Sequence, residues 1–188
     1  VATSHGFQSI ETAIEKITTK DKKINVTTTS SFAALVLIPA LQEFYALYPE
    51  IDVNITSGEN IDADNFTLPI RLGETDKQSS MDIIKLEEFN LFGTTNTDAK
   101  FRQNEKITIY TTDWKNSSLP NVPLQSWLEL NGLVNKQIHV RHFDQELFGI
   151  QQALLENAYV FCSRTLMQGY LKAGVLTELN TLTISSQL

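Results

Sequence analysis

Apolar residues recur along the chain in two rhythms, one of period two and one close to 3.6. Ile24, Val26 and Thr28 alternate with Asn25 and Thr27 as in a half-buried strand, and Ile51, Val53 and Ile55 repeat the pattern. Between them Leu41, Phe44, Tyr45 and Tyr48 fall at i, i+3, i+4 and i+7, which predicts a buried helical face from about Pro39 to Tyr48. Proline suits a first turn better than a helix interior, so residues 31–38 are expected to form a separate turn or short helix, with Pro49 ending the main one. Strand, helix and strand over residues 24–56 then make a parallel crossover unit. Upstream, Phe7, Ile10, Ile14 and Ile17 are spaced as an amphipathic helix over residues 2–19, followed by a solvated connector at Lys20 to Lys23. Its narrow apolar seam suits packing on its own domain or pairing with a second copy.

The later chain keeps alternating. Short strands are predicted at Leu68 to Leu72, within the apolar run Ile83 to Phe92, and at Ile107 to Tyr110. A helix at Leu124 to Leu130 is closed by Asn131 and Gly132, and a strand follows at Ile138 to Phe143. Asp144 is placed as the N-cap of a helix whose buried stripe is Leu147, Ile150 and Leu154. A strand at Tyr159 to Cys162, a helix at Leu166 to Ala173 capped by Gly174, and a strand at Val175 to Leu179 complete an α/β pattern. Such sheets bind ligands where strand carboxyl ends hand over to helices, and the first handover is Thr29, Ser30, Ser31 and Phe32. Backbone N–H groups at a helix start, flanked by hydroxyls, favour carboxylate, phosphate or amide oxygens. Ser30, Ser31 and Phe32 are therefore expected to form one wall of a cleft, faced by Thr94, Thr95 and Asn96 at the end of a later strand.

Composition narrows the function. The 188 residues, 41% of them hydrophobic, suffice for one domain or two small lobes. Against 22 acidic side chains stand 15 basic ones, a formal charge of −7, with no basic cluster beyond Lys20 to Lys23, so these residues are not expected to grip nucleic acid themselves. No unbroken apolar run approaches the roughly 20 residues of a membrane span and none resembles a signal peptide, so a soluble chain without a membrane partner is expected. Four sequons, at Asn25, Asn54, Asn65 and Asn116, follow from a chain rich in Asn and Thr rather than from secretion. A lone cysteine, Cys162, suits a reducing compartment and reads as apolar filler.

Candidate chemistry is sparse. His139 and His142 are three apart on a strand and point to opposite faces, so no metal site is expected. Glu87 and Glu88 are neighbours in a strand-like run and face apart, as surface charges. Ser30 and Ser31 lack a nucleophile elbow, and the eight glycines form no phosphate loop. Neither a cofactor nor an enzymatic acid, base and nucleophile set is expected. What remains is a binding site.

Residues Ile24 to Ala34 (INVTTTSSFAA), with Leu37 to Leu41 (LIPAL), Phe44 and Tyr48 to Val53 (YPEIDV), resemble the opening of the effector-binding domain of LysR-type transcriptional regulators. The resemblance is strongest to the branch that includes the glycine-cleavage and β-lactamase-induction activators. Leu68 to Gly73 (LPIRLG) is similar to that branch's Leu-Ala-Ile-Arg-x-Gly strand, Trp127, Leu128 and Gly132 to its Trp-Leu-x-x-x-Gly segment, and Phe143 and Asp144 to its Phe-Asp-Asp before a helix bearing Gln151 and Ala153. Leu171 to Leu176 (LKAGVL) is similar to its closing Leu-x-x-Gly-x-Leu, so the resemblance runs in register over roughly residues 24–180.

The resemblance implies two Rossmann-like lobes of periplasmic-binding-protein type II architecture, joined by two crossing strands, with a small effector between them. Residues 1–23 would be a truncated linker helix and connector, residues 24–95 plus 159–188 the first lobe, and residues 96–158 the second. It carries an effector contact over to Ser31, with Ser30 beside it, and places Thr95 where the family's Cys-Ser-Pro has its serine. Phe32, Thr94, Asn96, Phe143 and Glu146 complete the expected effector-binding set. Thr67, Glu146, Leu147, Asn157 and Tyr159 depart from the family pattern and would reshape the cleft. The implied partners are a small-molecule effector (an amino acid, carboxylate or peptide) and a second copy of the chain, as a homodimer or within a full-length tetramer. DNA would be met only through an N-terminal winged helix-turn-helix that the sequence given does not include, in a cytoplasmic protein. A transporter's solute-binding protein shares the architecture and is the alternative.

Overall fold

Two sheets organise the chain in the computed structural model, which describes residues 22–58, 67–80, 82–94, 101, 106–114 and 119–186. The amphipathic pattern at residues 2–19 lies outside them. In the first sheet β1 (Lys23–Thr28) runs between β2 (Asp52–Ser57) and β3 (Thr67–Pro69), parallel to both. Lys23 stands opposite Asp52 and Thr28 opposite Ser57, so β1 and β2 end level with one another. The crossover between them is α1, which runs continuously from Ser30 to Leu47. The expected break before Pro39 is absent. Proline has no N–H to offer the carbonyl four residues back and its ring crowds that carbonyl. The chain absorbs this by widening to a π-helical register at Ala33–Leu37, where the Ile38 N–H reaches Ala33 O.

The second sheet has the order β6-β5-β7-β4-β8, with β9 also on β4. Its strands are β4 (Glu88–Gly93), β5 (Lys106–Thr112), β6 (Gln137–Phe143), β7 (Tyr159–Ser163), β8 (Thr177–Glu178) and β9 (Ile184–Ser185). β5 is parallel to β6 and β7, whereas β4 is antiparallel to β7, with Phe89 opposite Ser163 and Gly93 opposite Tyr159. Both faces of this sheet are covered. Phe89, Leu91, Ile107, Ile109 and Phe161 face Trp127 and Leu128 of α2 (Leu124–Leu130). Phe92, Tyr110, Val160 and Cys162 face Ile150 and Ala153 of α3 (Glu146–Glu156), and Leu166 and Met167 of α4 (Arg164–Lys172). A strand buried on both sides needs apolar residues at successive positions, which β7 supplies as Tyr159, Val160, Phe161 and Cys162.

Several local expectations are revised. The helical face of Leu41, Phe44, Tyr45 and Tyr48 is not buried: Leu41 and Phe44 are half-buried, and Tyr45 and Tyr48 are exposed. Helical periodicity identifies one apolar side of a helix and leaves open whether this chain covers it. By length and composition α1 is long and apolar enough to cross a membrane, although Gln42 and Glu43 break its apolar run, as the sequence pattern indicates. Its first turns pack Phe32, Leu35 and Val36 against the α3 and α4 core. The N-cap of α3 is Gln145, in extended conformation without a side-chain capping bond, and not Asp144. Asn157, where the resemblance expects glycine, has φ 51° at the end of α3, a left-handed conformation that asparagine tolerates.

Candidate functional site

Parallel strands from the two sheets end facing one another, and the loops that follow them enclose a cavity of ≈ 260 Å³. From the first sheet come Thr29, Ser30 and Ser31 after β1, Ser57 and Gly58 at the end of β2, and Arg71 and Leu72 after β3. From the second come Trp114 and Leu119 after β5, and Asp144, Gln145 and Glu146 between β6 and α3. Strand carboxyl ends gather loops because parallel connections must leave there, which places ligand sites of open α/β sheets at this edge.

On the α1 side, Thr29 caps the helix, its Oγ1 accepting the Phe32 N–H at 3.4 Å. Ser31 is buried, and its Oγ accepts the Leu147 N–H of α3 at 3.2 Å, so one hydroxyl joins the two walls at the deep end of the cleft. Arg71 donates from Nη1 to Thr27 O at 2.5 Å and Ile70 O at 2.9 Å, and from Nη2 to Thr27 Oγ1 at 3.1 Å. These bonds fix the guanidinium behind the α1 wall. On the other side the Trp114 indole N–H donates to Glu146 Oε1 at 2.9 Å, which orients that carboxylate. Beyond the rim His142 Nδ1 lies 2.9 Å from Asp113 Oδ1, both well exposed.

Of the residues expected from sequence, Ser30, Ser31 and Glu146 line the cavity together. Phe32 and Phe143 do not, because both rings are drawn into the second core, Phe143 against Tyr110 with ring centroids 5.8 Å apart. Thr94 follows β4 and is not among the lining residues, while Thr95 and Asn96 lie outside the described residues. Thr29, Ser57, Gly58, Arg71, Leu72, Trp114, Leu119, Asp144 and Gln145 were not anticipated as site residues. All but Leu119, seven residues beyond β5, sit at or just after the carboxyl end of a strand in the parallel sets, a signal readable once strand directions are assigned.

Elsewhere the reactive groups are quiet. Burial, with smaller contributions from Glu146 and Glu87, pushes the Cys162 thiol well above its ordinary range and keeps it protonated. Tyr110 is raised by desolvation and by its bond to Glu156. Among the described residues no group of three or more His, Cys, Asp or Glu side chains is placed to hold a metal. His139 and His142 are both exposed.

No protein-family model matches the sequence, and no curated protein matches it. Solved structures do. The effector domain of the transcriptional regulator AmpR of Pseudomonas aeruginosa superposes with TM-score 0.62 at 17% identity, over 87% of this chain and 81% of that one. The fold is that of LysR-type effector domains. The AmpR effector-binding domain from Citrobacter freundii gives 0.53 at 15% identity, over 87% and 84% of the two chains. CrgA, a LysR-type transcriptional regulator from Neisseria meningitidis, gives 0.55 at 15% identity, over 97% of this chain and 66% of its own. The α/β architecture expected from the residue patterns is thus the LysR-type one, with mixed and parallel sheets.

Proposed function

We propose that this chain is the effector-sensing domain of a LysR-type transcriptional regulator, of the branch that includes the glycine-cleavage and β-lactamase-induction activators, and not an enzyme. The observation that carries the reading is the cavity between the facing carboxyl ends of two parallel strand sets, in a fold shared with effector domains of such regulators. Residues 24–95 with 159–188 are taken as one lobe and residues 96–158 as the other, with β4 and β7, which pair with each other and through β7 with β5, as the strands shared between them. An effector touching Ser30, Ser31 and Glu146 stabilises one relative closure of the lobes, and by linkage its affinity depends on the conformation that the rest of the regulator holds. Ile38, Tyr45, Leu47 and Tyr48 are exposed apolar side chains on α1 and its C-cap, and Ile38 and Tyr45, seven residues apart, share one helical face, which supports a homodimer. The cytoplasm is the corresponding location, with DNA reached through a separate domain.

A thermal-shift panel of amino acids, carboxylates and short peptides tests the reading. A ligand at about 100 times its Kd stabilises by about 2.7 kcal/mol, a rise on the order of 5–10 °C for a domain of this size. Ser30→Trp fills the cavity and is expected to abolish that rise. A ligand-induced shift that survives Ser30→Trp overturns the site, and a panel of effectors that produces no shift in the unaltered chain counts against the function.

A further inference from the structure

The N-cap residue of α3 does not cap it. At α1 the preceding Thr29 does so, its Oγ1 accepting the Phe32 N–H at 3.4 Å, and at α4 Ser163 Oγ accepts the Thr165 N–H at 3.1 Å. At α3 the N-cap is Gln145, whose side chain makes no capping bond, and Oε1 of the following Glu146 accepts the Trp114 indole N–H. The Leu147 N–H is among the donors that a helix start leaves without an intrahelical acceptor. It donates to Ser31 Oγ at 3.2 Å, a hydroxyl 116 residues earlier in the chain, on a residue 2% exposed in the first turn of α1. α3 therefore takes a cap from the opposite wall of the cleft.

A local cap and a distant one differ in what breaks them. A local cap travels with its helix and survives a rigid motion of the walls, whereas the Ser31 bond lasts only while α1 and α3 stay within hydrogen-bond distance. When the walls part, water takes both groups, so the bond biases the closed form by its net worth, a factor of about five. Phe32, Leu35 and Val36 of α1 pack on the core that α3 shares with α4, but apolar contact is non-directional and specifies no single register. Ser31 also lines the cavity, so an occupant of the cleft lies against this bond. We infer that the Ser31–Leu147 hydrogen bond is the latch of the cleft, with Ser31 a positioning residue that holds α1 on the start of α3 and sets the balance between closed and open lobes. This rests on the reading of α1 and α3 as parts of different lobes, and on no particular effector.

Spin-label distance measurements on the ligand-free chain test it, with nitroxides at Thr56→Cys on β2 and His139→Cys on β6, exposed positions on the outer strands of the two sheets. The buried Cys162 thiol stays protonated and escapes labelling. An excess of unlabelled chain removes distances between copies. Ser31→Ala is expected to shift the distribution toward longer separations and, in hydrogen exchange followed by NMR, to speed the Leu147 amide by about fivefold. Gln145→Ser gives α3 a local cap. Combined with Ser31→Ala, it is expected to restore the melting temperature and slow the Leu147 amide again while the longer separations persist. Return of the original distances in that double variant would mean that the hydroxyl acts only on the stability of α3, and overturns the inference. So does a Ser31→Ala distribution identical to that of the unaltered chain when Ser30→Trp, which wedges the cleft, lengthens the separation. If neither variant moves the distance, the two-lobe reading itself fails and the latch with it.

Discussion

The two sheets differ most in what covers them. The six-stranded sheet is sealed on both faces, with Trp127, Tyr110, Phe92, Leu91, Ile109 and Ile150 each at 0% exposure. The three-stranded sheet carries one long helix, and within the α-helical stretch Ile38–Leu47 of that helix no residue is buried. Ile24 of β1 and Leu68 of β3 are exposed as well. Both regions carry large apolar side chains, so burial here is decided by neighbours as well as by residue type. A self-sufficient core sits beside an apolar surface that this chain leaves uncovered, which is the arrangement of a domain that associates through one side.

That contrast can be broken from either end. Trp127→Ala should have the largest effect. It removes an indole packed on Phe161 at a 5.3 Å centroid distance and leaves a cavity in the sealed core. Losses of about 3–5 kcal/mol are usual for such truncations, measured as a drop in the denaturant midpoint at unchanged slope. Asn90→Ala comes next. The Oδ1 of Asn90 accepts from Trp127 Nε1 at 3.1 Å, Thr181 Oγ1 at 2.7 Å and the Leu91 N–H at 2.9 Å, tying β4 to α2 and to the segment after β8. Removing this buried acceptor strands those donors, at about 1–3 kcal/mol in the same measurement. The smallest effect on folding is expected for Ile38→Lys with Leu47→Lys, at two exposed positions of α1. Stability should move by no more than about 0.5 kcal/mol, as for most surface positions. Sedimentation should nevertheless show any dimer dissociating. A large stability loss for this last pair would mean that these positions belong to the chain's own core, and the contrast would fail.

The elements themselves were largely legible. The helix at Leu124–Leu130 and the left-handed Gly174 after α4 were read from periodicity and caps, because those signals are local. Strand ends were less so. β3 stops at Pro69 and β8 spans only Thr177–Glu178, since pairing partners set strand length and partners are distant in sequence. The same holds for the cleft. Ser30, Ser31 and Glu146 could be found because a hydroxyl pair at a strand-to-helix turn, and a similarity to a family pattern, are local features. Arg71, Trp114 and Asp144 could not, because nothing local distinguishes an arginine that holds main-chain carbonyls from one on the surface. Phe32 and Phe143 stand next to polar cleft residues, and the same adjacency that suggested them as contacts turns their rings into the core behind the wall.

By itself the sequence determined the α/β alternation, the crossover unit and the absence of a recognisable catalytic set, since those depend on residue type and spacing within a few turns of chain. Only the tertiary structure decided that α1 runs unbroken through Pro39, that its outer face stays uncovered, and that two carboxylates confront a helix start across one cavity. These three depend on which segments meet. Helical periodicity and strand alternation reveal an apolar face or a charged end, while the free energy that buries or pairs it comes from contacts between residues far apart along the chain.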